Sequence, residues 1–543
     1  MKLRLLAALL ALGGCAAAPA QPPSRPRLIV AISVDQFSAD LFAEYRRHFT
    51  GGLRRLSEGA VFPAGFQSHA ATETCPGHST ILTGDRPART GIVANNWTDQ
   101  GAARADKYIY CAEDERVPGS DSDHYTVSDV HLRVPTLGDL MRRADPASRV
   151  VAIAGKDRAA VMMGGHNPNQ RWWWEGRAFV THASNTAPPA VAAANARAAR
   201  ALAAAHVPMP LDPVCAGRSR AVPVGSGTRT VGEGRFARPA NDQALFRASP
   251  ELDAAILDLA GSLRESMRLG QGPATDLIAI GVSATDYVGH RYGTQGAEMC
   301  LQLLALDRAL GAFFATLDRA GIDYVVTLTA DHGGLDLPER AREQGVADAA
   351  RVDPALAASA MNGALAARLG LTGRILYGDG PFGDMYVART FPEATRARIR
   401  DEAIRAYRAH PQVAAVFTRE ELAAAPVPSG PPDAWSLLQR ARASFDAERS
   451  GDFYVMLRPR ITPIAAPGSS GSVATHGSPW DYDRRVPILF WRRGMTGFEQ
   501  PLAVETVDIM PTLAALIRLP LAPGSVDGRC LDLIAGPESS CPR

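Results

Sequence analysis

Five short apolar runs punctuate the chain, at residues 28–34, 150–154, 277–282, 324–329 and 486–491. Each is continuous rather than alternating, the pattern of a parallel strand buried on both faces. Helical stretches lie between them. Residues 40–59 follow the first run, and residues 298–320 precede the fourth with Leu301, Leu304, Phe313, Phe314 and Leu317 at helical spacing. The alternation predicts an α/β fold with a mainly parallel central sheet and helices on both faces. The first four runs are each followed by polar residues: Asp35, then Lys156 and Arg158, then Asp286, then Asp331-His332. Ligands of such sheets bind at the carboxyl ends of the strands. Strand order alone therefore predicts a site at that edge.

Two blocks interrupt the alternation. Residues 159–250 are rich in Ala, Pro and Gly and carry Trp172-Trp173-Trp174, whereas residues 335–465 hold Ala-rich helices and a glycine-rich turn region. Both read as insertions forming a cap, and the tryptophans read as packing between cap and core in preference to stacking on a substrate. The core is then expected at 27–158, 251–334 and 466–530, with a C-terminal tail at 531–543. Ahead of it, Met1-Lys2-Leu3-Arg4, a short apolar run and Leu12-Gly13-Gly14-Cys15 form a lipoprotein-type leader at 1–14. Cys15 is the expected lipidation site, followed by a Pro-rich tether at 15–26; ordinary cleavage after the small residues ending at Ala20 is the alternative. Ala16, directly after Cys15, is not acidic, which favours the outer membrane. No later run reaches the ~18 uninterrupted apolar residues of a spanning helix. The expected location is periplasmic or extracytoplasmic, with membrane contact only through the lipid.

Charge narrows the partners. The chain has 58 basic and 56 acidic residues, a net charge of +2, and only three lysines, Lys2, Lys107 and Lys156. No basic field suggests nucleic acid. A hydrophobic content of 46% excludes a disordered or fibrous chain. Beyond Cys15, six cysteines in an exported chain allow up to three disulfides, with 15 connectivities. Cys530 and Cys541 are the simplest pair.

The polar residues at the sheet edge suit a metal centre. Asp286 and His290 are four residues apart, one helical turn. Asp331-His332 ends a strand, His476 lies in the small-residue loop Ala474-Thr475-His476-Gly477-Ser478, and Asp35 ends the first run. Six oxygen and nitrogen ligands exceed one tetrahedral ion, so two metals are implied, a pair able to clamp both oxygens of an in-line displacement. Imidazole and carboxylate without thiolate suit zinc best, with manganese or iron also compatible. Nearby, Thr72-Glu73-Thr74-Cys75-Pro76-Gly77-His78-Ser79-Thr80 offers a hydroxyl that metals can activate as a nucleophile. It also reads as a helix N-terminus with Thr74 as cap and Pro76 in the first turn.

From about residue 27 to 530 these motifs resemble, in order, the alkaline phosphatase superfamily in its nucleotide pyrophosphatase/phosphodiesterase-like branch. They are most similar to the bacterial phosphate-irrepressible, zinc-dependent alkaline phosphomonoesterases. The resemblance implies an alkaline-phosphatase-like core and Thr74 as nucleophile. Asp35, Asp331 and His332 would ligate the zinc that activates Thr74, and Asp286, His290 and His476 the zinc that stabilises the leaving oxygen. Asn95, 21 residues beyond Thr74, matches the family's phosphate-binding asparagine. Lys156 and Arg158 match the pair that holds phosphate oxygens in the monoesterases and is lacking in the diesterases. A monoester dianion carries one more charged oxygen, for which Lys plus Arg is a fitting counter-charge.

The resemblance implies hydrolysis of small phosphate monoesters through a phosphothreonine. Two alternatives remain: a phosphodiesterase or nucleotide pyrophosphatase using the same metals, and a non-catalytic zinc- or phosphate-binding lipoprotein. Sulfatases of the superfamily use Cys-x-Pro-x-Arg, whereas here that register reads Thr74-x-Pro76-x-His78. Cys75, one place off, is expected to be a half-cystine with Cys111 as partner.

Overall fold

The continuous apolar runs form the middle of a ten-stranded sheet. The computed structural model describes residues 25–182, 187–227, 229–468, 471–536 and 538–542. The expected leader and Cys15 lie outside the described residues. Numbered along the chain, the sheet contains β1 (Leu28–Val34), β2 (Ala60–Phe66), β3 (Val150–Ala154), β4 (Gln170–Glu175), β5 (Ala178–Val180), β6 (Asp276–Val282), β7 (Tyr324–Thr329), β8 (Arg485–Arg492), β9 (Phe498–Glu499) and β10 (Val504–Glu505). Their order is β9-β2-β8-β7-β1-β6-β3-β4-β5, with β10 also on β2. β1 is central and pairs in parallel with β6 and β7, Leu28 standing opposite both Asp276 and Tyr324.

Both faces of the sheet are buried, which is why its strands read as unbroken apolar runs. Leu28, Val30, Ile32 and Val34 join one apolar cluster, whereas Ile29 and Ala31 join another. The helices over these faces used below are α1 (Ala39–Tyr45), α2 (Thr74–Thr83), α3 (Asp157–Gly164), α4 (Pro250–Ser266), α5 (Ala284–Tyr292), α6 (Ala297–Arg319) and α7 (Ile509–Leu516). α1, α4, α5 and α6 contribute to the first cluster; α2 and α7 contribute to the second. α6 is long and apolar enough to cross a membrane, but it packs within the core against α4 and α5.

Three expectations change. The fifth run is not parallel: β8 pairs antiparallel with both β7 and β2. The chain enters β8 from the loop carrying His476, which lies at the carboxyl edge of the parallel strands, so β8 must run away from that edge. The helix expected over 40–59 is broken into α1, a 3₁₀ turn at Arg46–His48 and a short helix at Gly52–Leu56. The break is held by Asp307, whose carboxylate accepts N–H bonds from Thr50, Gly51 and Leu53 at 2.7–2.8 Å. Finally, Trp172, Trp173 and Trp174 form β4, so the central sheet continues into the span expected as an insertion.

Within residues 335–465, strands Leu376–Tyr377, Gly383–Val387, Val413–Thr418 and Phe453–Leu457 form a four-stranded sheet. It has its own apolar cluster with helices Ala358–Leu369 and Glu393–Ala409. This unit meets the core where the site lies: Ser444 Oγ accepts the Ala70 and Ala71 N–H groups just ahead of α2.

Candidate active site

Each element reaching the carboxyl edge delivers a polar group. Asp35 follows β1 directly. The next residue, Gln36, has a left-handed φ of 66°, a costly conformation for a non-glycine residue. Its N–H donates to Asp331 Oδ1 at 3.2 Å. α5 begins right after Ser283 and places Asp286 and His290 one turn apart, with His290 Nε2 3.2 Å from Asp286 Oδ1. Asp331 and His332 follow β7, and the loop before β8 brings His476 Nε2 to 3.4 Å from Asp286 Oδ1. Two glycines permit these approaches. A Cβ at Gly289 would lie 1.5 Å from Gln36 Oε1, and one at Gly77 would lie 2.0 Å from the Asp331 carbonyl oxygen.

The six side chains form two groups of three, Asp35/Asp331/His332 and Asp286/His290/His476, with ligand atoms within 4.8 Å of one another in each. The histidines are oriented alike. The Nδ1 atoms of His290, His332 and His476 lie 2.9, 2.8 and 2.9 Å from the carbonyls of Ala474, Gly333 and Thr72. A carbonyl only accepts, so each Nδ1 carries the proton and each Nε2 presents a lone pair, as metal-ligating histidines do. Burial holds the His332 pKa down to about 3, and lowers that of His476 as well, so both rings are neutral donors.

Charge balance supports cations at these positions. Three buried carboxylates, Asp35, Asp286 and Asp331, converge on one buried ammonium, Lys156. Lys156 Nζ lies 2.7 Å from Asp35 Oδ2 and 2.6 Å from Asp286 Oδ2, spanning the two groups. Burial and the Asp331 carboxylate push the Asp35 pKa upward, against Lys156. Burial disfavours the Lys156 ammonium too, but Asp286 and Asp35 outweigh it and raise its pKa. Buried Asp35 Oδ1, Asp286 Oδ1 and His332 Nε2 have no hydrogen-bond partner among the described residues. An excess of buried carboxylate with orphaned donor atoms is costly unless a cation compensates it. The imidazole and carboxylate donors fit zinc.

Thr74 is the first helical residue of α2 and Glu73 precedes it, so the helix starts one residue before a Thr74 cap would place it. The Thr74 hydroxyl is buried, with Lys156 Nζ at 3.3 Å and Arg158 Nη2 at 3.4 Å. Asn95 Oδ1 accepts the Cys75 N–H at 2.8 Å, at the same helix end where free N–H groups favour an anion. Lys156 and Arg158 thus meet at the Thr74 hydroxyl, and Asn95 binds the same helix end.

Other residues hold this arrangement and were not evident from the sequence. Glu73 Oε2 accepts the Asn95 N–H at 2.7 Å, and burial pushes its carboxyl up to about 7. Asp157 accepts Tyr110 and Tyr125 hydroxyls at 2.7 and 2.8 Å, bracing the turn between Lys156 and Arg158. His78 Nδ1 lies 2.9 Å from the Thr74 carbonyl and 3.1 Å from Asp331 Oδ2. Its one available signal is a position one turn after Thr74. The disulfide Cys75–Cys111 joins the start of α2 to the strand carrying Tyr110, and Cys215–Cys300 and Cys530–Cys541 complete the pairing. Cys75 is a half-cystine, as expected.

The chain matches the family described as type I phosphodiesterase / nucleotide pyrophosphatase over residues 29–479. It is 58% identical to alkaline phosphatase PhoK of Sphingomonas sp, over 95% of this chain and 92% of that protein. Alkaline phosphatase PhoD of Zymomonas mobilis is 50% identical over 96% of this chain and 90% of its own length. The crystal structure of alkaline phosphatase PafA superposes with a TM-score of 0.80 at 25% identity, covering 95% of this chain and 100% of that one. With an alkaline-phosphatase-like fold and this extent of sequence agreement, the chain belongs to the type I phosphodiesterase/nucleotide pyrophosphatase family of the alkaline phosphatase superfamily.

Proposed function

We propose that this chain is an exported, zinc-dependent alkaline phosphatase that hydrolyses phosphate monoesters through a phosphothreonine at Thr74. The observation that carries the proposal is the convergence of Lys156 and Arg158 on the Thr74 hydroxyl beside two carboxylate–imidazole triads. Asp35, Asp331 and His332, with Thr74, would hold one zinc ion, and Asp286, His290 and His476 the other. When bound, such a pair lowers the pKa of a coordinated hydroxyl and offsets charge on the leaving oxygen.

Thr74 Oγ1 attacks phosphorus in line as the bond to the alcohol oxygen breaks. Asn95, Lys156 and Arg158 hold the non-bridging oxygens, where charge resides in a loose transition state. Water then attacks the phosphothreonine, releasing inorganic phosphate and restoring the hydroxyl. Two in-line displacements return phosphorus to its starting configuration.

The family description also names phosphodiesterases, which would use the same ligands. Two cations beside the nucleophile favour the monoester, which has an additional charged oxygen to receive them. A protein that only bound zinc or phosphate would have no use for a buried hydroxyl at that point. Three disulfides support an oxidising, extracytoplasmic compartment. Lipidation of Cys15 would tether the enzyme to the outer membrane.

Phosphate release from an aryl phosphate monoester, measured before and after chelation, tests the metal requirement. Chelation is expected to lower the rate at least about a hundredfold, and zinc to restore it. Chelator-resistant turnover, or no turnover once zinc is returned, would contradict the reading.

A further inference from the structure

Beyond the clamp, the site opens into a cleft of about 830 Å³. Lys156 and Arg158 line one end, and Tyr287, Arg247, Trp173 and His182 continue its wall. The Tyr287 ring is shared by two cations, with Lys156 Nζ 5.2 Å and the Arg247 guanidinium 5.0 Å from its centroid. Lys156 is committed to Asp35, Asp286 and Thr74, as described above. Arg247 is not: among the described residues it makes no ion pair, and its Nε is buried without a hydrogen-bond partner. The carboxylates of the cleft leave it free. Asp157 is engaged by Tyr110 and Tyr125, while Asp123 and Glu175 belong to exposed residues at the rim.

A half-buried guanidinium over an aromatic ring, lining the cleft and lacking a carboxylate, is a cation available to an anion that enters. We propose that Arg247, supported by Tyr287, forms a second anion subsite that selects phosphate monoesters whose alcohol portion carries a further phosphate, phosphonate or carboxylate. The proposal rests on the monoesterase reading and deepens it. With the scissile phosphate on Lys156 and Arg158, the second anion binds across Tyr287, where a charge-assisted hydrogen bond in a partly dehydrated cleft is strong. The neutral alcohol of a simple monoester gains nothing there. Arg247 is thus a specificity-determining residue, set apart from the reacting atoms.

The experiment compares kcat/KM for 3-phosphonopropyl phosphate and propyl phosphate, which share the scissile bond and differ in the second anion. The zinc-loaded enzyme is expected to favour the phosphonate-bearing ester by about tenfold. Arg247→Ala should abolish that preference while leaving propyl phosphate turnover within about twofold, and Arg247→Lys should retain part of it. The ratio of the two efficiencies does not depend on how much variant folds. An Arg247→Ala enzyme with an undiminished ratio, or a wild-type enzyme with no preference, overturns the subsite. Turnover of propyl phosphate by the wild type separates this outcome from failure of the monoesterase reading, in which neither ester would be hydrolysed.

Discussion

Thr74→Ala is expected to lower kcat/KM for an aryl phosphate monoester by about 10⁴-fold or more, with metal content unchanged from the wild type. The substitution removes the attacking oxygen but leaves the six candidate ligands outside Thr74 in place. It also forfeits only two long contacts, from Lys156 at 3.3 Å and Arg158 at 3.4 Å, so the fold should persist. Thr74→Ser keeps the oxygen at the start of α2 and should retain activity within about a hundredfold. Steady-state rates, metal analysis and a thermal melt distinguish loss of a nucleophile from loss of structure. Near-wild-type turnover by Thr74→Ala would exclude Thr74 from the chemistry.

The second large effect concerns substrate class. Under the proposed clamp, replacing both Lys156 and Arg158 by alanine would remove two charge-assisted hydrogen bonds to phosphate, each worth about 1.5–3 kcal/mol. Monoester kcat/KM is expected to fall by roughly 10²–10⁴. Hydrolysis of a methyl aryl phosphate diester, with one charged oxygen fewer, should fall by about tenfold or less. Equal losses for both substrates would contradict the clamp. Lys156 also has a second duty, because its ammonium is the buried counter-charge of Asp35 and Asp286. The metal-free variant should therefore melt at a lower temperature than metal-free wild type, and zinc should recover more of the difference.

The sequence disclosed the middle of the sheet because β1, β3, β6 and β7 are buried on both faces and their few polar residues do not alternate with the apolar ones. β2 escaped notice for the opposite reason. It contains Pro63 and Gly65, residues that weaken a strand assignment, and its pairing with β8 shifts register near them. β4 was hidden by its own composition: three consecutive tryptophans read as a cluster rather than a strand. The direction of β8 lies in no local pattern, since it follows from where the His476 loop enters the sheet.

The metal-binding candidates were legible because all but His476 stand at a strand end or within one helical turn of a partner, and His476 lies in a small-residue loop ahead of the last apolar run. The residues that brace the site were not. Glu73, His78, Tyr110, Tyr125 and Asp157 act through contacts between distant elements, and residue type alone does not announce such a role. Arg247 was concealed further by abundance, because nearly every cation in this chain is an arginine. Only its place in the cleft, over the Tyr287 ring and without a carboxylate, distinguishes it.

The central claim, that phosphorus passes through a covalent bond to Thr74, meets its most direct test in stereochemistry. Phosphoryl transfer from a monoester chiral at phosphorus to an acceptor alcohol should proceed with overall retention, because two in-line displacements each invert the centre. Inversion would show a single displacement and contradict the phosphothreonine.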